Sequence, residues 1–366
     1  MIVYFLSLIS TFFFISCYEK NKENKILKII FFIFSFMPFF LISAFRYDVG
    51  TDFLTRYVAD FYKINEGLNV DNLEVGYKII IKICQFFTDN SQSIFIVTSF
   101  IINLLITYTI FKYSKNKYLS VIVYFFGGFL FLSLNAVRQF LAMSLIFWAY
   151  PYLIKENKKW LYIISVLIAS SIHSSALVML IFAFFGKNKT INYKITLLVV
   201  VLFLLFGRSL LVPLNLLLKE TKFSPYLVEY YAKADVSNLY LLSNFLIYTF
   251  YSLVIKNKNI ENKEVILLYN IQAMALIITS MEAIHQLFSR IVFYYTIFQL
   301  ISIPLFIKLG LNFNLKFSRI KFLDKKYITI YIIIGYIFMF VFTNLIHNDN
   351  EVLPYICIFN KNLVIK

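Results

Sequence analysis

The sequence predicts an all-α polytopic integral membrane protein, with about 11–12 membrane-embedded helices and no soluble domain. Three observations carry this. The chain is 60% hydrophobic with 15% charged residues and a mean hydropathy of +0.77, whereas soluble domains run near a quarter charged. Apolar runs of 17 or more residues recur along its whole length, each long enough to cross a hydrocarbon core about 30 Å thick. The basic residues are mostly lysines, placed in short polar breaks between those runs, where they set orientation.

Single crossings are expected at Ile2–Tyr18, Ile26–Phe45, Ser91–Phe111, Tyr118–Leu134 and Ala136–Ile154. Five more follow at Ile195–Val212, Leu239–Ile255, Val265–Met281, Ile291–Ile307 and Tyr327–Leu345. The first run starts at Ile2 with no basic n-region and no small-residue cleavage site, which predicts a retained span. Residues 46–90 form the largest extracytoplasmic loop. Within it, Tyr77–Phe87 carries Lys78, Lys82 and Gln85 among Ile and Phe, the pattern of an amphipathic helix lying at the interface. No stretch between spans is long enough for a soluble domain, so residues 1–366 read as one transmembrane domain.

Charge placement decides the remaining segment, 160–185. Its 26 apolar-dominated residues are broken by Ala169-Ser170-Ser171-Ile172-His173-Ser174-Ser175. Let the breaks alternate, with 19–25 on the cytoplasmic side. Breaks 19–25, 112–117, 155–159, 187–194, 256–264 and 308–326 then hold 21 Lys/Arg against six acids, and the opposite breaks hold 13 of each. The alternation survives only if 160–185 enters and leaves on one side. The segment is therefore a hairpin of two short helices with His173 at its tip, and non-helical backbone at that depth must be buried in protein or line a wet cavity.

Composition also excludes functions. The net charge of +16 is dispersed at helix ends, so it reads as an orientation signal, not a nucleic-acid surface. Cys17, Cys84 and Cys357 show no metal-ligand or redox spacing, and a Cys84–Cys357 bridge is the one pairing left conceivable. No Walker loop, HExxH or nucleophile-elbow motif occurs.

The unusual polar residues fall instead on one face, outside the cytoplasm. Five of the six arginines, Arg46, Arg56, Arg138, Arg208 and Arg290, lie in or beside the non-cytoplasmic breaks. Ionisable groups at membrane depth are costly and mark functional sites by default. Arg46-Tyr47-Asp48-Val49-Gly50-Thr51-Asp52 follows the second span, with a planar fork suited to phosphate and two carboxylates that orient it or act as a base. Glu74-Val75-Gly76-Tyr77 is a second acidic turn, equally readable as a helix N-terminal acid. In Asn135-Ala136-Val137-Arg138-Gln139, an arginine and two amides join two spans with no real loop. His173 suits a general base or a structural hydrogen bond. Arg290 opens another span, close to Glu282 and His285.

Taken in order, Arg46-x-Asp48-x-Gly50-Thr51-Asp52, Glu74-x-Gly76-Tyr77, Asn135-x-x-Arg138-Gln139, Ile172-His173-Ser174-Ser175-Ala176, Arg290 and Leu353-Pro354-Tyr355 resemble the EpsG family of capsule and exopolysaccharide synthesis, regarded as Wzy-type polymerases. The resemblance runs from about Ile26 to Tyr355, with Phe53 and Ser174 departing from the pattern. It implies a metal- and cofactor-independent glycosyltransferase in the cytoplasmic membrane of a bacterium, its site facing outward. The implied substrates are polyprenyl-diphosphate-linked oligosaccharides amid membrane lipid, with a chain-length regulator and a flippase of the same pathway as partners. Arg46, Arg138 and Arg290 would hold the diphosphates. His173, Asp48, Asp52 or Glu74 would take the proton. The rival readings are a lipid-linked oligosaccharide transporter, which should show basic residues through the membrane depth or an internal repeat, and a membrane acyltransferase modifying the polysaccharide.

Overall fold

A computed structural model describes residues 1–70, 73–155, 157–186, 188–219, 237–256, 261–310 and 325–363. Parts of the lysine-rich breaks, including Lys187, Lys258 and residues 311–324, lie outside the described residues. Helices follow in the order α1 (Ile2–Lys20), α2 (Lys25–Ala44), α3 (Ala59–Asn65), α4 (Val75–Phe87), α5 (Gln92–Tyr113), α6 (Lys117–Phe126), α7 (Phe129–Asn135), α8 (Val137–Ala149) and α9 (Pro151–Ile154). Then come α10 (Lys159–Ile172), α11 (Ile181–Phe184), α12 (Tyr193–Phe206), α13 (Leu211–Leu218), α14 (Asn238–Lys256), α15 (Lys263–Ser280), α16 (Leu287–Thr296), α17 (Gln299–Gly310) and α18 (Lys325–Phe340). Among the described residues no strand forms, and the one isolated β-bridge joins Arg46 to Cys357. The three cysteines are free thiols.

Among the described residues, eight helices are long and apolar enough to cross a membrane, and up to ten if each bent pair is one span. The bent pairs are α6 with α7, at 50°, and α16 with α17, at 49°. Each lies where the sequence predicts a single crossing, and the bend makes each a broken span or a re-entrant loop. The first break falls at Gly127-Gly128, with Gly128 in the left-handed region at φ +78°, a conformation that ends a helix turn at little cost only for glycine.

Segment 160–185 folds back on itself as expected. The Tyr162 hydroxyl donates to Met179 O at 3.0 Å, and the Lys159 ammonium lies 4.5 Å from the Phe184 ring centre. In one continuous helix residues 17 positions apart stand roughly 25 Å from each other. The two arms, α10 and the 3₁₀ turn 174–180 with α11, therefore run side by side, and the break between them falls at His173.

The chain divides into two compact units. The first comprises Met1–Trp148, Ile164–Ala176 and Tyr331–Lys366. In it α1 packs along α2 and α2 along α5. Phe125, Phe131 and Phe340 meet edge to face or tilted, an arrangement favoured by the ring quadrupole. α4 buries Tyr77, Ile81 and Cys84 on one face and exposes Ile79, Ile83, Phe86 and Phe87 on the other, as an interfacial helix requires.

The second unit comprises Ala149–Ile163 and Leu177–Ile330, built around the largely buried α15. Its interior holds a closed amide cluster. Gln299 Nε2 donates to Asn244 Oδ1 and Gln272 Oε1, each at 3.0 Å, and Asn244 Nδ2 donates to the Thr279 hydroxyl at 3.0 Å. Hydrogen bonds of this kind join α14, α15 and α17 where no water reaches.

Candidate functional site

The polar site begins where α2 stops. Gly50 adopts φ +97°, and a Cβ there would stand 2.9 Å from Leu134 O. Glycine thus lets the turn press onto the break between α7 and α8. Asn135 holds it there: its Oδ1 accepts the Thr51 hydroxyl at 2.6 Å and the Asp52 N–H at 3.2 Å. The chain's closing segment lines the same turn, with Tyr47 N–H donating to Ile356 O at 2.9 Å and Gly50 N–H to Glu351 O at 3.0 Å. The Tyr355 hydroxyl donates to Ile42 O at 3.0 Å.

Arg46 points inward from this turn. It is fully buried, donating through Nη1 to Ser43 O and through Nη2 to Leu134 O at 3.0 Å. Its guanidinium lies 4.6 Å from the Phe95 ring centre, and Nε meets no acceptor. Burial lowers its pKa to about 10, so it stays charged at neutral pH. The fork that the sequence suggests for phosphate is occupied by backbone carbonyls left over at two helix ends. Asp48 sits half-buried in the turn at φ +50°. Asp52 heads the π-turn 53–58, where its carbonyl accepts the N–H groups of Arg56 and Tyr57, each at 3.1 Å.

Glu74 is the hub. It stands immediately before α4, and its two carboxylate oxygens face different partners. Oε2 takes Arg138 Nη1 at 3.0 Å. Oε1 accepts the Ser174 N–H at 3.2 Å and stands 3.9 Å from His173 Nδ1. The hairpin tip can approach so closely because residue 76 is glycine: a Cβ there would lie 2.7 Å from Ser171 O. Burial pushes the Glu74 carboxyl up, but the Ser174 N–H, Arg138 and His173 outweigh it and hold it below the ordinary value. Glu74 is therefore an anion at neutral pH and a poor proton acceptor.

Arg138 is the opposite of Arg46. Its side chain is 22% exposed, and among the described residues its only hydrogen bond runs through Nη1 to Glu74, so most of its five donors are uncommitted. Its guanidinium lies 5.8 Å from the Tyr77 ring centre. The Tyr77 hydroxyl is buried without a partner. Tyr57, also buried, donates its hydroxyl to Asn135 O at 3.0 Å, and burial pushes that hydroxyl up to about 12.

Half-buried Asp60 interacts electrostatically with Arg138, and burial raises its pKa. Sequence reasoning missed Tyr57 and Asp60. They follow the 46–53 motif directly, but the π-turn changes the spacing by which a helical face would have been read.

The arrangement unites motifs 46–52, 74–77, 135–139, 172–176 and 353–355, all in the first unit. Arg290, exposed on α16, belongs to the second. So do Glu282 and His285, both buried. Glu282 Oε2 accepts the Ser237 N–H at 3.1 Å, and His285 Nδ1 accepts the Leu287 N–H at 3.0 Å.

Fold and site together define a polytopic helical membrane protein whose scattered polar motifs converge at helix ends around an arginine–glutamate pair. More particularly, the chain belongs to the EpsG family, whose model matches residues 29–357. No curated protein and no solved structure matches it.

Proposed function

We propose that this chain is a polysaccharide polymerase. It joins polyprenyl-diphosphate-linked oligosaccharide repeat units into capsular or exopolysaccharide at the outer face of a bacterial cytoplasmic membrane. Family membership supports the class of reaction. The observation that carries the site assignment is Arg138, fixed by Glu74 beside His173 yet with donors to spare.

In the step, a hydroxyl oxygen of the acceptor sugar bonds to the anomeric carbon of the donor. The bond from that carbon to the diphosphate oxygen breaks, and the lipid diphosphate departs with the electron pair. Arg138 binds the departing diphosphate, where bidentate charge-assisted bonds suit the ligand and a preorganised cation stabilises the developing charge. His173 takes the hydroxyl proton, with Asp48 and Asp52 as the alternative acceptors. Glu74 positions both Arg138 and the tip. Arg46 braces the turn.

The test is the lipid-linked saccharide profile of cells lacking the protein, complemented with wild type or Arg138→Ala. Single repeat units accumulating on the outer leaflet, with polymer absent in both the null and the variant, is the expected result. Normal polymer with Arg138→Ala would remove the diphosphate assignment. Units trapped on the inner leaflet would replace polymerisation with transport.

A further inference from the structure

Within the second unit, the base of the hairpin and residues of the turn that follows line a half-open cavity of about 470 Å³, inside the roughly 300–1,000 Å³ range of small-ligand sites. Its apolar wall includes Ile181, Phe184, Phe185 and Met274, and Asn188 and Lys189 stand on its rim. We infer that this cavity holds one anionic phospholipid, an acyl chain against the apolar wall and the phosphate between Lys189 and Lys159.

The rim is preformed. Asn270 is fully buried on α15. Its Nδ2 donates to Gly186 O at 2.8 Å and Lys189 O at 2.7 Å, and its Oδ1 accepts the Ile191 N–H at 2.8 Å. With one side chain satisfying three backbone groups, the turn is held without help from a ligand, so binding has little loop ordering to oppose it.

Charge selects the occupant. The Lys189 side chain is exposed and pairs with no carboxylate among the described residues. Lys159 brings a second ammonium over Phe184, a cavity residue, at 4.5 Å from its ring centre. Phe184 is 65% and Phe185 71% exposed, so exposed aromatic rings, Lys189 in the lining and Lys159 over Phe184 belong to the surroundings of one cavity, the chemistry of a membrane interface. Two ammoniums that pair with no carboxylate among the described residues favour a headgroup with net negative charge over a zwitterion. The cavity is built from the hairpin's base, not from the tip that carries His173, which suits a resident lipid and not the reacting diphosphate.

The test uses the purified full-length chain in nanodiscs of phosphatidylglycerol and phosphatidylethanolamine, delipidated stepwise, with retained lipids counted by native mass spectrometry. One phosphatidylglycerol should resist removal. Lys189→Gln and Lys159→Gln should each weaken its retention about fivefold, the share expected of one lysine at an anionic surface. Lys115→Gln, an exposed lysine in another loop, should change nothing. Ile181→Trp should expel the lipid by filling its space with no change of charge. Undiminished retention in both Lys→Gln variants, equal retention of phosphatidylethanolamine, or displacement by equimolar polyprenyl phosphate would each overturn the assignment.

Discussion

If Glu74 holds the hairpin tip, the Ser174 amide should report it directly. That N–H donates to Glu74 Oε1 at 3.2 Å, across 100 residues of sequence, from a side chain only 16% exposed. A hydrogen bond to a charged acceptor contributes about 1.5–3 kcal/mol net, and a neutral one about 0.5–1.5. Glu74→Ala should therefore cost the tip ~2 kcal/mol, a roughly 30-fold loss of hydrogen-exchange protection at Ser174. Glu74→Gln, which keeps the shape but not the charge, should cost ~1 kcal/mol, or about fivefold.

Arg138→Ala should move Ser174 little, because Arg138 bonds the other oxygen. The pH dependence follows from the depressed carboxyl. Its stabilisation is fully present above the ordinary value of 4.5 and is lost as pH falls through the lower folded value. Protection in the wild type should thus fade only on the acid side, and Glu74→Gln should lack that limb. Exchange measured on peptides spanning 171–176, in detergent or nanodiscs, reads all of this. Wild-type protection at Ser174 in Glu74→Ala would refute the docking role.

Three further substitutions separate the other roles. Arg138→Ala should lower the polymerisation rate of purified protein on lipid-linked repeat units by about 10²–10³-fold, the usual effect of removing one preorganised charge donor, with unchanged expression and melting temperature. Gly76→Ala places a Cβ 2.7 Å from Ser171 O. Overpacking of that kind costs about 1–3 kcal/mol, so Ser174 protection should fall at least about fivefold and activity should fall with it. Arg46→Met removes the donors to Ser43 O and Leu134 O. It should destabilise the protein by about 3 kcal/mol, seen as a lower melting temperature in detergent; lost activity at an unchanged melting temperature would instead make Arg46 a substrate ligand.

What could be read in advance depended on whether a residue's role is set along the chain or across it. Hydropathy is a property along the chain, so the spans from Ile2 to Ile346 lie within a few residues of where bilayer thickness demands. The hairpin was legible through a constraint on all later loops, and the Tyr162–Met179 bond is its counterpart in space. The kinks within Tyr118–Leu134 and Ile291–Ile307 were not legible, because hydropathy is blind to direction.

The arginines show the limit most sharply. Arg46 and Arg138 are both helix-end arginines beside glycine- and amide-rich turns, and nothing local distinguishes them. Their fates differ because each helix end leaves carbonyls unsatisfied. At Arg46 two such carbonyls, on Ser43 and Leu134, converge once Gly50 closes the turn. A buried cation answers them, since leaving them bare would cost about 1–3 kcal/mol each. At the start of α8 the groups left without intrahelical partners are N–H donors, those of Val137 and Arg138 bonding the Tyr57 hydroxyl, and that helix end repels a guanidinium. Arg138 is turned outward to Glu74, 64 residues away in sequence. An arginine at a helix C-terminal end is thus drawn into structure, and one at an N-terminal end is left for a carboxylate or a phosphate. That distinction, not the count of arginines on one face, makes Arg138 the residue on which substrate binding should depend.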